Sequence, residues 1–292
     1  MAGYVMFDVR RRLGIGWIRW VIVVSIAYVG VVIMLSLLEN WLVYHPCPAT
    51  AHWRPPEGLE VQDVWLALPT GERIHGWWAP RSQARWAVLY LHGNAGNLSH
   101  RQPAIRAWHA HAQASVLIVD YPGYGRSSGK PSESACYDTG RAGYRWLVGE
   151  AGIAPEQVIL FGKSLGGAIA AHVAMEHPHK ALVLHSTFTS LPDIAQEMFP
   201  ILPARWLVRH RMNTLEKVER YEGLLYIAHG DRDAIVPFHH GERLYVAAAR
   251  CQRKYFQRLT GADHNDPSGP EFFSGVRAFL EVLAGTPSTG SP

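Results

Sequence analysis

Between Trp20 and Leu38 the chain runs WVIVVSIAYVGVVIMLSLL without a charge, so a helix formed here is apolar on every face. At about 1.5 Å rise per residue, such a helix is long enough to cross the bilayer hydrocarbon core. Trp17, Trp20, Trp41 and Tyr44 stand near its ends, where amphipathic rings favour the lipid–water interface. The pattern predicts one membrane span over 20–38, preceded by a short segment, 1–19. A cleaved signal peptide is the rival reading. The basic start suits it, but the apolar stretch is long and no clear small-x-small site precedes Glu39. Arg10, Arg11, Arg12 and Arg19 precede the span, while only Arg54 lies in the corresponding stretch after it. The positive-inside bias therefore puts the N-terminus in the cytoplasm and the rest of the chain outside it.

Residues 39–58 are rich in Pro and poor in apolar periodicity, as expected of a linker, and a folded domain is expected over 59–284. Val61 to Leu68 and Glu72 to Trp78 read as extended runs around the turn Pro69-Thr70-Gly71, a hairpin signal. Short apolar runs then alternate with helical stretches. Strands are expected at Trp86–Leu91, Val116–Val119, Val158–Phe161, Ala181–Leu184, Leu224–Ala228 and Tyr255–Leu259, with helices near 99–112, 134–149, 165–176, 238–249 and 271–284. This rhythm predicts an α/β fold, a mostly parallel sheet with helices on both faces, opened by an antiparallel hairpin. Residues 187–222 interrupt it and read as a small lid. The tail 285–292, GTPSTGSP, reads as disordered, and no internal repeat is present.

With 48% hydrophobic and 18% charged residues over 292 positions, the chain is neither disordered nor fibrous. Its net charge is +4, but Asp8 and the four N-terminal arginines contribute +3 of that. No basic run with interleaved aromatics follows, which speaks against nucleic acid as a partner. Cys47, Cys136 and Cys251 are too few and too scattered for a disulfide scaffold. Among the 16 histidines there is no H-E-x-x-H, and the pairs His177/His179 and His239/His240 lack a third ligand nearby in sequence, so they read as surface residues.

The apolar run VILF leads directly into Gly162-Lys163-Ser164-Leu165-Gly166 and then into the helical stretch GAIAAHVAME. G-x-S-x-G acquires meaning in this strand–turn–helix setting. The turn is so sharp that side chains beside the serine would meet backbone, and the hydroxyl is left exposed above the sheet. The same turn places the Leu165 N–H at a helix start, able to donate to a developing oxyanion. A phosphate-binding loop is the competing reading of Gly162-Lys163-Ser164, but it requires glycine where Gln157 stands. The other candidate, Gly129-Lys130, continues with Pro131 instead of Ser or Thr.

A serine hydroxyl needs a base to take its proton, and a neutral imidazole needs a carboxylate to fix its tautomer. After LLYIA comes His229-Gly230-Asp231-Arg232-Asp233, and after the last strand comes Gly261-Ala262-Asp263-His264-Asn265-Asp266. Both segments are loops at strand C-terminal ends, where ligands bind in open α/β sheets. The order Ser, Asp, His suits this architecture. His264 is favoured as base by its place after the last core strand, while His92, His185 and His229 read as loop shapers. The acid is either Asp231 or Asp233. The loop Leu91-His92-Gly93-Asn94-Ala95-Gly96-Asn97 follows the first parallel strand and offers the Asn94 N–H as second oxyanion donor. Asp120 to Gly129, DYPGYGRSSG, lacks G-x-G-x-x-G spacing and reads as a rigid loop shaping the wall of the site.

LYLHGNAGN, DYPGYGRSSGKPSE, GKSLGGAIA, HGDRDAIVPFHHGERL and GADHND, in that order over about residues 60–284, resemble the α/β-hydrolase superfamily, and more narrowly its membrane-anchored, short-lid serine-hydrolase branch. The resemblance implies an eight-stranded sheet, nucleophile Ser164, acid Asp233, base His264, and no metal or organic cofactor. Depalmitoylase-like and esterase-like members belong to this branch. The Cys-rich anchoring segment of the former is replaced here by the apolar span.

Together these readings predict a membrane-anchored hydrolase of carboxylic esters or thioesters, acting on a small-molecule or lipid-like acyl substrate. Phe199, Ile201, Leu202, Trp206, Leu207 and Val208 would line an acyl groove, touch the bilayer or simply pack the lid down. Arg205, Arg209 and Arg211 would lie near headgroups. A serine peptidase of the same fold is the alternative, and would need lid acids such as Asp193, Glu197 or Glu216 to hold an ammonium group. A noncatalytic anchored binding module is the second alternative. The sequence does not set the oligomeric state.

Overall fold

The computed structural model describes the backbone of residues 3–284 and the surroundings of the side chains of residues 17–281. The tail 285–292 lies outside the described residues, as do the first two positions of the N-terminal segment. In chain order the elements are α1 (Gly3–Leu37), α2 (Glu39–Val43), β1 (His45–Pro46), β2 (Gln62–Ala67), β3 (Arg73–Ala79), β4 (Trp86–Leu91), β5 (Ala95–Gly96), α3 (Gln102–Ala112), β6 (Ala114–Val119), α4 (Glu133–Gly149), β7 (Val158–Lys163) and α5 (Leu165–Ala174). Then come β8 (Ala181–His185), α6 (Leu191–Met198), α7 (Ala204–Leu207), α8 (Thr214–Arg220), β9 (Leu224–Gly230), α9 (His239–Ala247), β10 (Arg253–Leu259) and α10 (Pro270–Ala284).

Eight strands form one sheet in the order β10-β9-β8-β7-β4-β6-β3-β2. The β2–β3 and β3–β6 pairs are antiparallel, and every other pair is parallel. The central strands read as continuous apolar runs because both faces are covered. Along β4, Ala87, Leu89 and Leu91 enter the core beneath α4, α5, α8 and α9, while Val88 and Tyr90 enter the core beneath α3 and α10. In α10, Phe272, Phe273, Val276, Phe279 and Leu280 recur at helical spacing and are all buried, each aromatic ring contributing about 2–3 kcal/mol by leaving water.

Two boundaries differ from the expectation. Residues 39–58 are not a free linker. Tyr44 is buried, β1 pairs in parallel with β5, and the Asn97 side chain donates to the carbonyls of Cys47 and His52 at 3.0 and 2.8 Å. Gln102 donates to the Arg54 and Pro55 carbonyls, and the Ser99 hydroxyl accepts the Arg54 N–H at 3.0 Å. This segment docks through side chains of the body instead of a long strand ladder, so it carries no periodicity to read. The second difference concerns 187–222. There α6 and α7 pack on each other, whereas α8 packs against α5 and α9 as part of the helical layer.

Along α1, Trp17–Leu37 is long and apolar enough to cross a membrane and is not buried against the rest of the chain, starting three residues before the expected 20–38. Leu35 and Ser36, in its last turns, are half-buried.

Candidate active site

β7 ends at Lys163, Ser164 takes φ 53° and ψ −120°, and α5 begins at Leu165. A serine in that region of backbone space is strained by roughly 1–3 kcal/mol, and such strain persists only where the surroundings hold it. The Ser164 N–H donates to the His185 carbonyl at 2.9 Å, and its carbonyl accepts the Thr187 hydroxyl at 2.7 Å and the Gly167 N–H at 2.9 Å. The flanking glycines are required by contact. A Cβ on Gly162 would stand 2.2 Å from the Gly166 carbonyl oxygen, well inside any permitted approach.

His264, on the loop after β10, places Nε2 3.0 Å from the Ser164 hydroxyl and Nδ1 2.7 Å from a carboxylate oxygen of Asp233, on the loop after β9. All three side chains are buried or nearly so. The other Asp233 oxygen accepts the N–H groups of Ile235 and Val236 at 3.0 and 2.7 Å, and His229 lies 3.5 Å from the first. Burial by itself raises this carboxyl, but hydrogen bonds from His229, His264 and the Val236 amide outweigh it and hold the group well below the ordinary carboxylate range. Asp231, the other candidate acid, faces elsewhere: it accepts the Gly261 N–H at 2.6 Å and pairs with Arg258 at 3.0 Å. Asp263 ties the two loops together by accepting the Ala234 N–H at 3.0 Å.

Asn94 and Leu165 line the same cavity as Ser164. Among the described residues neither backbone N–H has a protein partner, as an oxyanion site requires. The Asn94 loop is fixed by its other atoms, its carbonyl accepting the Tyr124 hydroxyl at 2.7 Å and the His45 N–H at 3.2 Å. The 120–129 loop does not line the cavity, contrary to expectation. It braces the Asn94 loop from behind: buried Asp120 accepts the Leu98 N–H at 2.8 Å and meets His92 Nε2 at 3.2 Å, and Tyr121 donates to the His92 carbonyl.

The cavity holds about 450 Å³, with Ser164 in its lining. Phe199, Leu202, Leu207 and Val208 of the lid face it, whereas Ile201 and Trp206 point outward, 88% and 86% exposed. Sequence reasoning missed one wall: Leu35 and Ser36 of α1, and Glu39, Leu42 and Val43 of α2. Glu39 is 5% exposed, and its carboxylate accepts the N–H groups of Arg209 and His210, both at 2.8 Å, and Arg209 Nε at 2.9 Å. Burial opposes its charge, and these donors overcome the penalty and lower its pKa. Of the lid arginines, Arg205 pairs with Asp193, and the Arg211 N–H donates to Glu133.

The structure gives His239 and His240 a third neighbour, Glu197 on α6, with donor atoms within 4.8 Å of one another. His240 Nδ1 lies 3.2 Å from the Thr189 amide nitrogen and 2.9 Å from its hydroxyl, and Nε2 faces Glu197 at 3.2 Å. Lys163, next to Ser164, donates to the Asp266 carbonyl at 3.0 Å, and burial pushes its pKa down to about 8.

An uncharacterized protein of Mycobacterium tuberculosis is 34% identical over 273 residues, covering 90% of this chain and 95% of its own. The alpha/beta hydrolase domain-containing protein WAV2 of Arabidopsis thaliana is 30% identical over 287 residues, 89% of this chain and 92% of its own. The model of the alpha/beta hydrolase fold matches residues 87–209. The chain belongs to the α/β-hydrolase superfamily. Among solved structures, an esterase of Pyrococcus furiosus shares the α/β-hydrolase fold with a TM-score of 0.66 at 21% identity, over 83% of this chain and 98% of that one. In this α/β-hydrolase the sheet carries Ser164, Asp233 and His264 on three loops at one edge, in the order the superfamily resemblance implies.

Proposed function

We propose that this α/β-hydrolase is a membrane-anchored serine hydrolase that cleaves carboxylic ester or thioester bonds through an acyl-enzyme. The observation that carries the reading is the unbroken relay from Asp233 through His264 to Ser164, 2.7 and 3.0 Å, at an apolar cavity. His264 Nε2 takes the hydroxyl proton as Ser164 Oγ bonds to the acyl carbon, and the oxyanion accepts the N–H groups of Asn94 and Leu165. Collapse breaks the bond to the leaving oxygen or sulfur, which departs with the proton from His264. Water, deprotonated by the same imidazole, then releases the carboxylic acid and restores Ser164. Each step runs on this chain's own residues.

The helix Trp17–Leu37 serves as the anchor, and the arginine bias puts the N-terminus in the cytoplasm and the hydrolase domain outside it. Against the peptidase alternative, the lid acids are already engaged: Asp193 with Thr189, Arg205 and Arg243, Glu197 with His239 and His240, Glu216 with Asn213. None of the three lines the cavity. A noncatalytic module would have no use for a strained serine held in register with a histidine and a buried acid.

Turnover of a short chromogenic ester, a long acyl thioester and an aminoacyl amide, each with Ser164→Ala as control, tests the proposal. Ester or thioester cleavage that vanishes in the variant, with a fluorophosphonate adduct on Ser164, supports it. Amide cleavage alone would favour the peptidase, and no adduct on folded protein would favour the binding module.

A further inference from the structure

The wall that sequence reasoning missed says where the substrate comes from. Leu35 and Ser36 belong to the last turns of Trp17–Leu37, so one side of the cavity is built by the end of the helix that would cross the bilayer. The lid lines the same cavity with Phe199 and Leu207. Glu39 and Arg209 lock the two together, and the Arg209 guanidinium also donates to the Ser36 carbonyl at 3.0 Å. His210 completes the clasp through Asn40 at 2.6 Å. Anchor and lid are therefore a single structural unit around the cavity, and with the anchor in lipid the opening sits at the level of the headgroups.

The outer surface of this unit carries several large apolar side chains. Leu37, Trp41, Met198, Ile201 and Trp206 are 77%, 68%, 65%, 88% and 86% exposed, and all lie on segments bordering the cavity. Large apolar side chains with tryptophan among them, next to a membrane helix, match the interface belt where one side of a ring meets acyl chains and the other meets water. A soluble hydrolase fed from water gains nothing from such a rim. The cavity lining is itself aliphatic and aromatic, apart from Ser36, Glu39, His45, Asn94 and Ser164. At about 450 Å³ the cavity falls within the ordinary range of ligand pockets, about 300–1,000 Å³, with room for an acyl chain.

We propose that the acyl chain enters from the bilayer, between the end of α1 and the lid helices α6 and α7, and that the substrate is a membrane-resident amphiphile offering one long-chain ester or thioester to Ser164. This rests on the reading of the chain as an anchored serine hydrolase. The chain stays in an apolar medium throughout, so its transfer from lipid to cavity carries little of the cost of passing through water. The polar head remains at the interface, where the leaving group departs.

The test uses the full chain reconstituted in phosphatidylcholine vesicles, with p-nitrophenyl palmitate in the bilayer and p-nitrophenyl butyrate in the water. At fixed total palmitate ester, adding inert phosphatidylcholine lowers palmitate turnover, because the surface fraction of substrate falls. Leu35→Trp, which fills the cavity from α1, and Leu207→Trp, which fills it from the lid, each lower the palmitate-to-butyrate ratio of kcat/KM by about tenfold or more. Palmitate turnover that follows only the bulk concentration, a ratio unmoved in both variants, or a chain that alkaline carbonate strips from the vesicles would overturn the proposal. Failure of the underlying reading looks different: both esters would still turn over in Ser164→Ala.

Discussion

The carbonyl oxygen of Leu91 lies 1.9 Å from where a Cβ on Gly166 would stand. The end of β4 and the first turn of α5 thus meet backbone to backbone, and this contact sets the height of Ser164 above the sheet. Backbone on both sides cannot swing aside as a side chain would. Gly166→Ala is expected to cost at least about 3 kcal/mol, the upper end for overpacking, seen as a large drop in Tm. Gly149→Ala, at the end of α4 with nothing within 4 Å of the added carbon, is the control and should stabilise by about 0.5–1 kcal/mol.

Ser164 carries backbone strain that the proposed role requires, so activity and stability should part at this position. Ser164→Ala and Ser164→Gly both remove the hydroxyl proposed as nucleophile, yet only glycine is at ease with φ 53°. Both variants should be inactive. Ser164→Gly should be the more stable by about 1 kcal/mol in thermal unfolding; equal stability would mean that the elbow is relaxed.

Asp233 and Asp231 are two residues apart but bond to different things, and paired substitutions separate them. Asp233→Asn loses the carboxylate that fixes the His264 tautomer, and kcat should fall by roughly 10³- to 10⁴-fold. Asp231→Asn touches only the Gly261 amide and Arg258 and should keep kcat near wild type. Linkage gives a second readout. The folded-state pKa of Asp233 is depressed, so its carboxylate adds stability above the unfolded value of about 3.9 that is lost as pH falls through the folded one. The stability gap between wild type and Asp233→Asn should close in strong acid.

The sheet was legible because its strands are buried on both faces, which writes itself as apolar runs such as VILF and ALVL between helical stretches. The three site loops were legible because each follows such a run and carries a chemical marker; Asp233 over Asp231 came from the family resemblance, and His264 Nδ1 lies 2.7 Å from Asp233. What stayed hidden depends on distant partners. Glu39 and Arg209 are 170 positions apart, and neither is distinctive locally. Tyr44 to Glu57 docks on Asn97, Ser99 and Gln102, three polar residues in a loop and helix start that look solvent-facing until the fold closes. The membership of α8 in the helical layer depends on surfaces that α5 and α9 create.

Lys163 is a half-buried cation beside Ser164, and its contribution to stability should rise with pH over a defined window. Its folded pKa, about 8, lies below the ordinary lysine value of about 10.4. The unfolded chain therefore binds more protons between these two values, so folding stability from this group rises with pH across that window. Below pH 8 the protonated form is held at a cost. Lys163→Met should stabilise the protein at pH 7 and lose that advantage above pH about 10.4, as read by denaturant unfolding at both pH values. A constant difference across the window would show that Lys163 is solvated in the folded protein.

Glu39 decides whether the end of α1 is part of the site or merely next to it. Its carboxylate accepts three hydrogen bonds from Arg209 and His210, each charge-assisted and worth about 1.5–3 kcal/mol against leaving the donor unpaired. Glu39→Ala removes both acceptor oxygens and leaves the Arg209 and His210 amides without partners where the lid leaves α7. Those amides should then exchange hydrogen faster by about 10-fold or more, while the amides of the central strands β4 and β7 keep their protection. KM for a long-chain ester should rise with a smaller change in kcat, because the lid wall is displaced while Ser164, His264 and Asp233 stay in register. Unchanged exchange at Arg209 and His210 would mean that the anchor and lid are held by other contacts, and that the clasp contributes nothing to the cavity.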